Sequence, residues 1–274
     1  MRITIQPTKG FGSLGLKDVW AYRDLLWFQV MREVKGKYRQ MALGPLWIIL
    51  QPVINMVLFS IVFGTLAKFD SGSVPYPVFS YVGLLPWQFF QATAIRSTGS
   101  LVVDMNIISK VYYPRLISPL AAVCSSFIDL LVSMVVMAGM LAFFVPFQGI
   151  RILYIPVLII ISGAFGLGIG LWLSCMAVKF RDVSLAVGHA LRVFMYLTPV
   201  AYSATEIAKR APEWMTLYKL NPMFWVVEGF RWALIGEGTP PSLMMVWPLI
   251  FVVLLLVSGA YMFRKTERTI VDLL

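Results

Sequence analysis

A chain of 274 residues that is 59% hydrophobic and 13% charged, with a mean hydropathy of +0.80, carries far more apolar surface than a soluble fold of its size can bury. Its formal net charge of +10 therefore reads as basic residues gathered at a membrane rim, since no soluble basic domain is present to bind nucleic acid. Cys124 and Cys175 both fall within apolar runs and suggest neither a disulfide nor a metal site.

The chain divides into a cytoplasmic N-terminal segment, 1–44, and a single membrane domain, 45–274. The first 44 residues hold no apolar core of signal-peptide type, so cleavage is not expected. Within them Leu16, Val19, Trp20, Leu26, Trp27, Val30, Met31 and Val34 recur at helical spacing. This predicts an amphipathic helix lying along the inner interface with its tryptophans at headgroup level, or else a helix packed on protein.

A helix needs roughly 20 apolar residues to cross about 30 Å of hydrocarbon. Six segments qualify, near 45–66, 77–97, 117–144, 152–178, 184–203 and 246–263, which predicts an all-α integral membrane protein. With both termini cytoplasmic, sixteen of the 23 Lys and Arg residues fall inside and six outside, as the positive-inside rule requires.

In span one Trp47, Gln51, Asn55, Phe59 and Phe63 descend in steps of four, and span two adds Tyr81, Trp87, Gln88 and Gln91. The connection after span two has a helical stripe of Leu101, Val102, Met105, Ile108 and Tyr112, with Asp104, Asn106, Ser109 and Lys110 facing away. Pro114 ends it. Such a helix at a membrane exit is suited to be pushed by a partner, or is a plain connector. Asp129 stands alone in span three and reads as a helix contact. In span four Gly166 and Gly170 allow close helix approach; the glycine run lacks the strand and spacing of a dinucleotide loop. Span five places His189, Arg192, Tyr196 and Pro199 on one face. In the following outer loop, MFWVVEGFRWALI between Asn221-Pro222 and Gly236 predicts a re-entrant helix about 20 Å long, too short to span. Glu228 and Arg231 pair on it at i, i+3, and a shorter helix precedes it near Pro212 to Leu220.

Aromatic faces beside amides and hydroxyls suit a sugar polymer, whose ring faces stack while its hydroxyls hydrogen-bond; the same groups also serve as glue between helices. A single histidine, His189, leaves no raw material for a metal cage or a His-based triad, so no enzyme site assembles. No Gly-x4-Gly-Lys-Ser/Thr phosphate loop occurs, so ATP-driven work would need a second polypeptide.

Four stretches taken together carry a resemblance. LGPLWIILQP (Leu43 to Pro52), SKVYYPRLISPL (Ser109 to Leu120), VKFRD (Val178 to Asp182) and LNPM (Leu220 to Met223) are similar, in this order, to the permease subunits of ABC-type polysaccharide exporters, the type 2 class that moves O-antigen, capsule or teichoic acid. The resemblance implies a six-span homodimer working with two copies of a separate nucleotide-binding subunit, which alone binds ATP and Mg. It also implies a polyprenyl-diphosphate-linked glycan as cargo and a bacterial inner (cytoplasmic) membrane as location.

Carried onto this chain, the resemblance makes Asp104, Met105, Asn106, Ile107 and Lys110 the segment coupled to the ATPase. It makes Trp47, Gln51, Asn55, Phe59, Tyr81, Trp87, Gln88, Arg192 and Tyr196 channel candidates. Lys37, Arg39 and Arg115 either attract the lipid diphosphate or serve as ordinary positive-inside anchors. The rival readings are a secondary transporter, which would show repeated halves and an intramembrane carboxylate, a drug or lipid ABC exporter of the same fold, and a membrane-bound enzyme.

Overall fold

The structure, a computed structural model, describes residues 16–39, 42–105, 113–180 and 182–269, and their regular structure is helical throughout. Two helices, α1 (Leu16–Ala21) and α2 (Arg23–Tyr38), meet at a break at Tyr22. They are followed by α3 (Leu46–Phe59), prolonged in π-helical form over Ser60–Leu66, and by α4 (Tyr76–Val103) and α5 (Ile117–Phe144). A 3-10 turn at Gly149–Tyr154 leads into α6 (Ile155–Ala177), and α7 (Val183–Tyr196) follows. The outer segment holds α8 (Ala204–Arg210), α9 (Met215–Leu220) and α10 (Pro222–Leu234), and the last helix is α11 (Val246–Thr269).

α4 is the axis of the bundle, with α3, α5, α6, α7 and α10 all packed on it. Lipid tails are as apolar as leucine, so helices gather around such an axis through close packing rather than through water exclusion. The glycines of α6 make this possible. A Cβ on Gly166 would lie 2.8 Å from the Phe90 carbonyl oxygen, and one on Gly170 would lie 2.3 Å from Cβ of Ser97. On the opposite side of α6, Gly168 meets Leu255 of α11. The close approach expected of Gly166 and Gly170 is thus realised, and it also lets Ser162 donate to the Pro86 carbonyl at 3.1 Å. Between α4, α6 and α7 the rings of Trp87, Phe90, Phe165 and Phe194 form one cluster, with Phe90 and Phe165 stacked at 4.9 Å.

Four stretches among the described residues are long and apolar enough to cross a bilayer by themselves: Leu46–Leu66, Ile117–Phe144, Gly149–Ala177 and Leu243–Glu267. The other two expected spans take different forms. α4 has 28 residues, ample length, but it carries Gln88, Gln91 and Arg96 and tolerates them because protein sheathes most of it. It also runs unbroken to Val103, so Gly99 to Val103 continue this helix instead of starting a separate cytoplasmic one. α7 has only 14 residues, about 21 Å, and stops at Tyr196, short of the expected 203. Pro199 accounts for this, since the residue before a proline is driven out of helical geometry.

Of the two expectations for the N-terminal helix, packing on protein is realised in α2. Gln29 and Val30 are buried, in a helix packed against α5, while Trp27 and Phe28 of α2 and Trp20 of α1 stay exposed. Arg23 lies over the Trp20 ring at 5.8 Å.

The LNPM stretch has a local explanation. The Asn221 side chain caps α10 by accepting from the Met223 N–H at 2.9 Å, and Pro222 occupies the first helical position, where a missing N–H is harmless. The same Asn221 amide donates to Thr198 at 2.9 Å, anchoring the cap to the end of α7.

Candidate functional site

A cavity of about 670 Å³ opens between α2, α3, α4, α5 and α7. The helical repeat places its polar lining. Gln51, Asn55 and Phe59 follow one another at i, i+4 on α3, Gln88 and Arg96 lie two turns apart on α4, and Arg192 and Tyr196 lie one turn apart on α7. Seven of the nine channel candidates from the sequence therefore face one space: Gln51, Asn55, Phe59, Trp87, Gln88, Arg192 and Tyr196. Gln91 joins them.

Trp47 and Tyr81 do not. Trp47 is exposed and absent from the lining although the next residue, Ile48, reaches it, because one residue along a helix turns the side chain by about 100° to another face. Tyr81 is buried, and its hydroxyl donates to the Ser133 carbonyl at 3.2 Å, which makes it a helix contact.

One rim of the cavity carries charge. Asp129 of α5 accepts from Lys37 of α2 at 2.5 Å and from Arg96 of α4 at 2.7 Å, and Arg96 also donates to Ser125 and Ser126 at 3.1 and 3.2 Å. Burial, reinforced by Arg96, pushes the Lys37 ammonium below the ordinary lysine range, and Asp129 opposes that shift. Asp129, which looks solitary in the sequence, is thus the point that joins α2 to α4 and α5. Arg96 belongs to the cavity wall. The signal that finds Arg96 is the step of four already used on α3: Gln88, Ala92 and Arg96 all line the cavity.

The three residues considered for a diphosphate separate. Lys37 lines the cavity. Arg39 is exposed just beyond the end of α2 and does not. Arg115 is bound to Glu267 of α11, donating its backbone N–H to the carboxylate at 3.3 Å and its guanidinium to the Glu267 carbonyl.

The proposed coupling segment begins where α4 ends. Asp104 is the residue after Val103, and instead of facing away it is buried, accepting a hydrogen bond from the Arg32 guanidinium of α2. Helix spacing within one segment does not reveal this, because the cation that draws Asp104 inward comes from 72 residues earlier. Met105 is half-buried, and Asn106, Ile107 and Lys110 lie outside the described residues.

On the far side of the bundle, α10 is buried along most of its length and the expected Glu228–Arg231 pair forms at 3.0 Å. Arg231 does more than pair. It donates to the carbonyls of Pro199, Val200 and Tyr202 at 2.7, 2.6 and 3.0 Å, and its guanidinium carbon lies 3.7 Å from the centroid of the Phe79 ring. These are backbone acceptors released where α7 stops, so one side chain from α10 completes the broken end of α7. Glu228 in turn accepts from the Thr239 N–H and hydroxyl, both at 3.1 Å. A second, larger cavity of about 890 Å³ lies beside this hub, lined by Phe69, Phe165, Phe194, Trp214, Tyr218 and Phe251 among others.

A bundle of apolar helices around a polar, cation-bearing cavity, with a short buried helix and a hub at one end, defines a membrane permease. The ABC-2 type transporter profile matches residues 24–235, from α2 through α10, and this chain belongs to that family. It is a multi-pass membrane protein. Over 218 residues, 79% of this chain and 82% of the relative, it is 28% identical to the O-antigen export system permease protein RfbA of Myxococcus xanthus. It is 26% identical over 241 residues to the inner membrane transport permease YadH of Escherichia coli strain K12, covering 83% of this chain and 86% of that protein. The polysialic acid transport protein KpsM of Escherichia coli is 22% identical over 248 residues, covering 87% and 92%.

Proposed function

We propose that this chain is the transmembrane subunit of an ATP-driven exporter that carries a polyprenyl-diphosphate-linked polysaccharide, O-antigen foremost, out across the bacterial inner membrane. It acts as a homodimer with six passes per chain, made by α3 to α6, by α7 together with the turns that follow it at 197–200, and by α11, and with both termini in the cytoplasm. Two copies of a separate nucleotide-binding subunit hold ATP and Mg.

The observation that carries this reading is the convergence of amide, aromatic and basic side chains from α3, α4 and α7 on one cavity. It occurs in a chain whose relatives include permeases named for O-antigen export and polysialic acid transport. Amides and indole edges hydrogen-bond hydroxyls and ring faces stack on sugars, so such a wall suits a glycan better than an apolar drug.

The mechanism is mechanical. Closure of the ATPase subunits pushes the segment beginning at Asp104. Arg32 passes the displacement to α2, and the Lys37–Asp129–Arg96 node passes it to the cavity wall. The polymer advances as the helix pairs around the cavity move.

The test is co-purification with the product of an adjacent ATPase gene, followed by measurement of ATP hydrolysis with and without lipid-linked glycan. Stimulation by the glycolipid is expected, together with its loss when Gln51 and Asn55 are both changed to leucine. A chain that transports as a monomer without any ATPase would show the reading to be wrong.

A further inference from the structure

The cavity of about 890 Å³ beside the Arg231 hub differs from the first in what its wall offers. Phe165, on that wall, lies ten residues along α6 from Ile155, or about 15 Å. Phe251 lies four residues, about 6 Å, beyond Trp247, an exposed tryptophan at the start of α11 of the kind that marks a membrane interface. Half of a hydrocarbon core of about 30 Å is about 15 Å, so the lining reaches from the interface to the bilayer midplane, the span of one acyl chain. Leu197, Leu220 and Phe251 in the same wall are each at least half exposed, so the space opens sideways, toward lipid.

The polar side chains of this wall are already engaged by protein. The Tyr202 hydroxyl donates to the Tyr196 carbonyl at 2.7 Å and meets the Tyr218 hydroxyl at 3.1 Å. Asn221 is bonded to the Met223 N–H and to Thr198, and Glu206 accepts from Nε of Arg210 at 2.9 Å. A sugar finds ring faces here without the free amides of the first cavity, and water gains little in such a space. Hydrocarbon fills it favourably.

α7 indicates which hydrocarbon. Arg192, Met195 and Tyr196 line the first cavity, whereas Phe194 and Leu197 line the second. At about 100° per residue the two sets point in nearly opposite directions, so the apolar slot turns away from the polar face. That separates the slot from any partner gathered on the polar side. Arg210 adds a charge to the slot: beyond its bond to Glu206 its side chain is largely exposed, and its guanidinium carbon lies 4.8 Å from the centroid of the Phe69 ring. An exposed guanidinium beside an apolar slot is placed to take a phosphodiester at headgroup level.

We propose that this slot is a binding site for a glycerophospholipid, with one acyl chain along Phe165, Phe194 and Phe251 and the phosphodiester at Arg210. The lipid is a structural ligand of the short helices α8 and α9, whose Ile207, Leu217 and Leu220 form part of the wall. The assignment goes beyond the export reading and needs only that the chain be a multi-pass membrane protein.

The experiment places the full-length chain in nanodiscs of dioleoyl phosphatidylglycerol with a trace of the same lipid carrying a diazirine midway along one chain. After illumination, labelled residues are mapped by peptide mass. Val253, exposed on α11 and outside the lining, reports ordinary surrounding lipid; Phe165, which is buried, reports the slot. Label is expected at both. A211F adds a ring to the wall, and L197W fills the slot from α7, so a folding failure in one variant leaves the other as the test. Each should lower the ratio of Phe165 to Val253 label about tenfold, as overpacking does. R210Q should lower it about threefold, the effect of a solvated charge. Label at Val253 without label at Phe165, or a ratio that neither filling variant moves, overturns the site. Equal labelling by a diazirine diacylglycerol, which has no phosphate, or a ratio unmoved by R210Q overturns the phospholipid assignment. Loss of the Phe165 label on adding a small amount of farnesyl diphosphate would make the occupant an isoprenoid and likewise overturns it. Label present in discs holding one copy and absent in discs holding two would show that a second chain covers the slot, which also overturns the proposal.

Discussion

Arg231 and Glu228, one turn apart on α10, form an ion pair at 3.0 Å with both side chains withdrawn from solvent. The arrangement is tolerable because each ion has further partners, three carbonyls at the end of α7 for the two terminal nitrogens of Arg231, whose buried Nε has no acceptor among the described residues, and Thr239 for Glu228. Removing one partner therefore does more harm than in the i, i+4 pair between Arg210 and Glu206, in which the arginine is exposed to solvent.

Glu228→Leu is expected to destabilise the chain by about 3 kcal/mol, the lower end for breaking a buried pair, because the guanidinium retains its carbonyls. Arg231→Lys should also destabilise, since an ammonium lacks the fork that reaches several acceptors at once. Thermal unfolding of the purified chain and of the double variant provides a cycle in which the two effects fall short of additivity. Strict additivity would mean that the pair is not coupled.

Gly170→Val tests the closeness of α6 to α4. A Cβ there meets Ser97 Cβ at 2.3 Å, so the helices must separate, at about 1–3 kcal/mol for overpacking. Gly139 has nothing within 4 Å of its would-be Cβ, and Gly139→Ala should leave unfolding unchanged or slightly delayed. Similar losses in both variants would contradict the packing account.

Asp129→Asn leaves Lys37 and Arg96 without their shared carboxylate. These pairs are partly solvated, so the global effect should be modest, but α2 loses a tie to the bundle. Amide hydrogen exchange in α2 should accelerate by about tenfold while exchange in α10 stays the same. Unaltered exchange in α2 would show that its packing on α5 and the Arg32–Asp104 bond hold this helix without the Asp129 node.

Glu33 supplies a pH dependence. Burial raises its carboxyl above the ordinary value of 4.5, with Arg96 pulling the other way and Asp104 adding to the rise. The folded chain then holds this proton more tightly than the unfolded chain. Its contribution favours folding most below the ordinary value and declines as pH rises through the raised one. Glu33→Gln removes that decline, so its unfolding temperature should gain on the parent protein from acidic to neutral pH. Parallel pH profiles would exclude a role for this carboxyl.

The sequence by itself determined the solvent, the helical class and the periodic faces. Mean hydropathy alone requires a membrane, and the steps of four in Gln51, Asn55 and Phe59 place them on one side of a helix whatever its neighbours are. The Glu228–Arg231 pair and the Asn221–Pro222 start of α10 were legible for the same reason, since both lie within one or two turns. Only the tertiary structure decided which faces meet. Asp129 acquires its partners from 92 residues before it, on α2, and 33 residues before it, on α4, and Asp104 is drawn inward by Arg32, relations that no local period contains. Tyr81 and Gln88 lie two turns apart on α4, yet one touches α5 and the other lines the cavity. A 3.6-residue repeat states which residues share a side; what occupies the space beyond that side depends on how the surrounding helices pack.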